Sequence, residues 1–141
     1  MRLVTGLTVI ALLGVAGCSD AGTESALRTP AERFEGKLEL CETPGVPGEV
    51  WCGTFDVPED RSVEGGRTIG LRVAVLPATG DSGPAADALT FLAGVGVAPA
   101  TRNLPFFANA VSMLREGRDI ELEDQRGTGG SNALDCDLPE P

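Results

Sequence analysis

The chain has 141 residues, with 11 Lys and Arg against 21 Asp and Glu, a formal charge of −10 and no histidine. Without histidine, a Ser-His-Asp or Cys-His catalytic set cannot be complete within these residues, and histidine-ligated zinc is excluded. The acidic balance argues against a nucleic-acid partner, which clustered Lys and Arg would hold; 42% hydrophobic residues are too many for a disordered acidic tail.

Met1-Arg2 gives a short positive start, and residues 3–16 (LVTGLTVIALLGVA) carry no charge. That length suits a secretory h-region, whereas a spanning helix needs about 20 apolar residues. The run closes in Val15-Ala16-Gly17-Cys18, which resembles a bacterial lipobox, where small residues precede a cysteine that is lipidated. We therefore expect residues 1–17 to be a lipoprotein signal peptide and Cys18 to carry acyl chains. An ordinary signal peptide containing a cysteine is the alternative. Acyl chains would hold the protein to a membrane outside the cytoplasm, at about 0.8 kcal/mol per buried CH2. Residues 18–36 open small and polar and read as a tether, leaving 37–141 as the folded part.

Outside the cytoplasm thiols tend to pair. Cys41 and Cys52 flank ETPGVPGEVW, whose Pro and Gly residues allow a tight reversal, and we expect them to be bonded to each other. Cys136 is then left unpaired. Trp51, beside Cys52, reads as packing on that disulfide.

Residues 54–57 read as a short strand ended by Pro58, and 59–66 (EDRSVEGG) as a polar turn. Residues 67–78 alternate, with Ile69, Leu71, Val73 and Val75 on one face and Thr68, Gly70, Arg72 and Ala74 on a wetter one. The two strands are expected to pair antiparallel. Residues 88–93 (ALTFLA) are apolar on both faces, like a strand buried between layers. Residues 104–115 place Phe107, Val111 and Leu114 at helical spacing, with Pro105 in the first turn and Gly117 beyond the end. Residues 119–123 (DIELE) form another strand, followed by the turn-rich DQRGTGGSN.

Cys52-Gly53-Thr54 with Val57-Pro58-Glu59-Asp60, Phe91-Leu92-Ala93-Gly94, and the stretch Asp124 to Asn132 occur in that order. Together they resemble the CGTxxVPxDY, FLxGGPG and DQRGTGxSN elements of secreted tripeptidyl aminopeptidases and proline iminopeptidase-like enzymes. These are serine peptidases of the α/β-hydrolase fold. The resemblance covers about residues 41–136 and implies an α/β class. The expected form is a partial α/β-hydrolase fold with an antiparallel N-terminal hairpin, then β-α-β, and an incomplete sheet. It implies that 119–123 lies between the hairpin and 88–93, and that Gly94, Val95 and Gly96 belong to the oxyanion loop. Asp124, Gln125, Arg126, Gly127, Gly129 and Ser131 are the family's turn motif. A cysteine matching Cys136 would bond to a later one.

The G-x-S-x-G serine, the acid and the histidine of this family are not among these residues. The resemblance therefore implies the N-terminal portion of such an enzyme, inactive alone, with a peptide substrate only where the C-terminal part exists. No cofactor and no metal are expected. Two departures stand out. Val95 and Val97 occupy positions where the family has small, permissive residues. Glu121 and Glu123 put carboxylates on one strand face, and burying an unpaired carboxylate costs several kcal/mol, so either that face is wet or the sequence is no longer under selection for the full fold.

Ser131 lies in a near-match to a nucleophile elbow, but LDCDLPEP after it is no helix and no base is present, so it reads as a turn serine. Glu121, Glu123 and Asp124 read as a solvated strand edge, since their spacing matches no Ca²⁺ loop. The glycines at 127–130 read as a tight turn, because no Lys follows as in a P-loop. The alternative to an enzyme fragment is a non-catalytic surface lipoprotein, decayed or repurposed.

Overall fold

Residues 28–94 and 98–134 are described by the structure, a computed structural model. Alternation builds the centre of the sheet. Strand β3 (Thr68–Leu76) pairs antiparallel along its whole length with β2 (Trp51–Pro58), in register from Trp51 opposite Val75 to Pro58 opposite Thr68. The expected hairpin is present, with β2 three residues longer at its start than the Pro58-terminated stretch implied. The connecting loop is turned by Asp60, whose carboxylate accepts from the backbone N–H and hydroxyl of Ser62.

The short strand β1 (Glu39–Leu40) adds to β2, and β5 (Ile120–Glu123) adds antiparallel to the other side of β3. Strand β4 (Leu89–Phe91) pairs parallel with β5, so the order is β1-β2-β3-β5-β4. The result is a mixed five-stranded sheet with few, short helices. As expected, residues 119–123 separate the hairpin from the strand near 90. A parallel pair cannot be joined by a tight turn. The β4–β5 connection carries a 3₁₀ turn (Ala100–Asn103), helix α2 (Leu104–Asn109) and a second 3₁₀ turn (Ser112–Arg115).

That crossover covers one sheet face and makes the main core. Leu76, Ile120, Leu122 and Val50 are almost wholly buried there, with Leu104, Phe107 and Ala108 packed on them. Each large aliphatic side chain so buried contributes about 1.5–3 kcal/mol. The opposite face holds a smaller cluster of Leu38, Val73 and Val75, covered by Phe34 and Trp51. Helix α1 (Pro30–Phe34) supplies Phe34 from inside the stretch expected to be tether. It is started by a capping box in which Thr29 and Glu32 satisfy each other's backbone N–H groups.

Several expectations are corrected. The face of β3 bearing Ala74 is not the wetter one at its C-terminal end: Ala74 and Leu76 are the strand's most buried residues, because β5 and α2 extend the core over them. Residues 88–93 are not buried between layers. Only three of them form β4, an edge strand on which Leu89 and nearby Leu92 are exposed. The helix at 104–115 ends at Asn109, and Leu114 turns outward because the following 3₁₀ turn has a tighter period than 3.6 residues. Trp51 packs in a tilted arrangement on Phe34, ring centroids 5.6 Å apart, on the face opposite its strand neighbour Cys52. Adjacent strand residues point to opposite faces, so Trp51 cannot share the disulfide's side.

Cys41 and Cys52 are joined as expected, with Cα atoms 5.8 Å apart. Cys18 and Cys136 lie outside the described residues.

Candidate functional site

Parallel strands β4 and β5 run side by side, so the segments leaving their C-terminal ends meet. In open α/β sheets that is where ligand sites form. The segment after β4 leads through Ala93 and Gly94 to Pro99 and Thr101. The segment after β5 is Asp124 to Ser131, and its side chains reach in several directions.

Asp124 is 1% exposed, which corrects its reading as part of a solvated edge. Its carboxylate accepts from the Thr101 backbone N–H at 2.9 Å, the Thr101 hydroxyl at 3.1 Å and the Gly130 N–H at 3.0 Å. Three donors offset the desolvation that would otherwise make a buried carboxylate costly. Gln125 points elsewhere: its Nε2 donates to the Ala93 carbonyl at 3.0 Å. Arg126 donates through Nη1 to the carbonyls of Pro58 and Glu59, both at 2.9 Å. The three consecutive side chains therefore tie the turn to the loop's exit, the loop's start and the β2–β3 hairpin.

The turn closes on itself. Thr128 donates its hydroxyl and its N–H to the Gln125 carbonyl, and Gly127 N–H returns to the Ser131 carbonyl at 2.8 Å. Gly127 and Gly129 have φ of +79° and +47°, the region glycine occupies without penalty. Gly129 has a second constraint: a Cβ there would come within 2.3 Å of the Pro99 Cβ and 2.5 Å of Asp124 Oδ2. The glycine run is thus a tight turn, and the turn presses against the loop's exit.

Ser131 is wholly buried, and its Oγ accepts the Arg72 N–H at 2.8 Å. It occupies a β-bridge with Thr128 and feeds no helix among the described residues. Gly94 is exposed; Val95 and Gly96 lie outside the described residues. Glu121 and Glu123 are half-buried on the sheet face away from the main core, where Glu121 accepts the Thr90 hydroxyl at 3.3 Å. No group of three or more His, Cys, Asp or Glu is placed to hold a metal ion among the described residues.

Beside the turn, a cleft of about 270 Å³ is lined by Glu59, Arg67, Ile69, Arg126, Asn132 and Leu134. Arg67 faces Glu59 at 3.4 Å, while Arg126 meets only the neutral carbonyls of Pro58 and Glu59, so the cleft lining carries one carboxylate against two guanidinium groups.

Sequence reasoning did not find Thr101, the partner of Asp124, nor a second polar centre at the start of β5. There Asp119 holds Arg33 of α1 in a forked ion pair and accepts the Ala78 N–H at 2.8 Å. Beside it Arg115 donates to the Pro77 carbonyl. Burial lowers the Arg115 pKa and Asp119 opposes that shift. Arg33 and Asp119 stand 86 positions apart, and no local pattern signals such a pair.

No family model matches this sequence, and no curated protein is significantly similar to it. Among the described residues, no helix is long and apolar enough to cross a membrane.

Proposed function

We propose that residues 37–141 are the N-terminal part of an α/β-hydrolase resembling aminopeptidases that cleave peptides from the N-terminus through a serine acyl-enzyme. In this reading the chain is anchored outside the cytoplasm by lipid on Cys18. It supplies the oxyanion loop after β4 and the turn that supports it. The serine, the acid and the histidine come from polypeptide beyond Pro141, and the 141 residues alone turn over no substrate.

One observation carries the reading. The turn after β5 grips the segment after β4 by both ends, at Ala93 and at Thr101, and does so at the C-terminal ends of a parallel pair. In the enzymes that the sequence resembles, backbone N–H groups after this strand meet a developing oxyanion, which is where such enzymes gain most. Glu121 and Glu123, on a sheet face that a covering helix would have to bury, favour the second reading, a non-catalytic lipoprotein.

The coding sequence downstream of the Pro141 codon tests this. An open frame, or one a single frameshift away, that encodes G-x-S-x-G and a later histidine is expected. Unrelated sequence there would favour the non-catalytic reading. The anchor is tested separately: Cys18→Ala is expected to abolish palmitate incorporation, and undiminished labelling overturns it.

A further inference from the structure

We infer that Asp124 and Gln125 are positioning residues that fix the separation of Ala93 and Thr101, the two flanks of the segment after β4. The inference deepens the proposed function, and its consequence for catalysis rests on that reading. The clamp itself rests only on geometry.

The two residues are consecutive at the end of β5, and their side chains diverge. Asp124 turns into the core side and takes Thr101 through two bonds. Gln125 turns outward and takes Ala93 through one. A single peptide unit thus sets where the intervening chain begins and ends. The third bond of Asp124, from Gly130 N–H, ties this setting to the shape of the turn. Gly129 leaves no slack, since it is packed against both Pro99 and the Asp124 carboxylate.

Arg126 provides an internal control. It belongs to the same turn, but it holds Pro58 and Glu59 at the β2–β3 hairpin. A generally stabilising turn would make all three residues equivalent. A clamp makes the effects separable.

Site-resolved amide hydrogen exchange on the full chain distinguishes these cases. Gln125→Ala and Thr101→Val each remove one clamp bond and leave the Asp124 carboxylate in place. Both are expected to raise exchange at the Thr101 amide about tenfold, the effect of losing roughly one hydrogen bond. Amides at 59–68 should keep their rates. Arg126→Ala is expected to do the reverse. Thr101 exchange unchanged in both Gln125→Ala and Thr101→Val, or rates raised uniformly over the sheet by all three variants, overturns the clamp. Asp124→Asn adds a stronger lesion where it folds; the two milder variants keep the test decisive where it does not. The exchange pattern does not depend on any chemistry, so failure of the hydrolase reading would leave it standing.

Discussion

Ser131 accepts the backbone N–H of Arg72 on its hydroxyl oxygen at 2.8 Å, while Asp124 N–H donates to the Arg72 carbonyl at 3.0 Å. In an antiparallel ladder the return bond from Arg72 would go to a strand carbonyl. Strand β5 has already ended at Glu123, so a side chain reached by the turn completes the rung.

Ser131→Ala should therefore act as a structural lesion. It leaves the Arg72 N–H without its acceptor in a part-buried setting, which costs about 1–3 kcal/mol. Urea unfolding should show the loss. A fluorophosphonate probe should not label Ser131 in the wild-type chain; labelling would mean that the serine is an activated nucleophile.

Gly129→Ala should cost more than Gly36→Ala. Both glycines have positive φ, at +47° and +73°, but nothing lies within 4 Å of a Cβ at Gly36. Gly36→Ala thus bears only the left-handed penalty of about 1–2 kcal/mol. Gly129→Ala adds collisions with Pro99 and Asp124. Equal melting temperatures for the two variants would contradict the close approach.

Breaking the Arg33–Asp119 pair should detach α1 from the sheet. The two side chains are 11% and 12% exposed, and removing one partner of a buried pair costs about 3–5 kcal/mol. Asp119→Ala should be the worse change, because the Ala78 N–H loses its acceptor as well. The double variant should cost less than the two single losses combined, since neither charge is left alone. Strict additivity in a double-mutant cycle would show that the two do not act as a pair.

Mass spectrometry after alkylation without reduction should find Cys41 and Cys52 unmodified, as their bond requires. Closing a loop of that size stabilises by a little under roughly 3 kcal/mol in the chain-entropy account. Cys41→Ser with Cys52→Ser should lower the unfolding midpoint accordingly. An unchanged midpoint would mean that the bridge adds nothing to the packing of β1 on β2.

Acid should loosen α1. The Thr29 backbone N–H, helped by its hydroxyl, holds the Glu32 carboxyl below its ordinary value of 4.5. A depressed carboxyl contributes stability above its unfolded pKa and loses it as pH falls through the folded value. The cap should thus be intact at neutral pH and weaken progressively below 4.5. Asp60, held down by Ser62, and Asp87, held down by Arg118, carry the same sign. A carbon-detected NMR titration that places the Glu32 midpoint at or above 4.5 would contradict this.

The β2–β3 hairpin, the strand at 120–123, the tight turn at 127–130 and the Cys41–Cys52 bridge were legible in the sequence. Each depends on interactions between near neighbours: alternation along an extended chain, glycine in left-handed conformations, and a Pro- and Gly-rich reversal between two cysteines. The composition also determined that no histidine-based catalytic set can be complete within these residues. Only the tertiary structure decided which face of β3 is buried, because burial belongs to whatever packs on a face, and β5 and α2 come from far along the chain. It alone turned Asp124 from an apparent solvated acid into a buried one, since Thr101 becomes its donor only after the crossover folds back, joining the local donor Gly130. The Arg33–Asp119 pair was invisible for the same reason. A charged side chain reads as solvent-facing until a distant partner supplies the hydrogen bonds that water would otherwise have made.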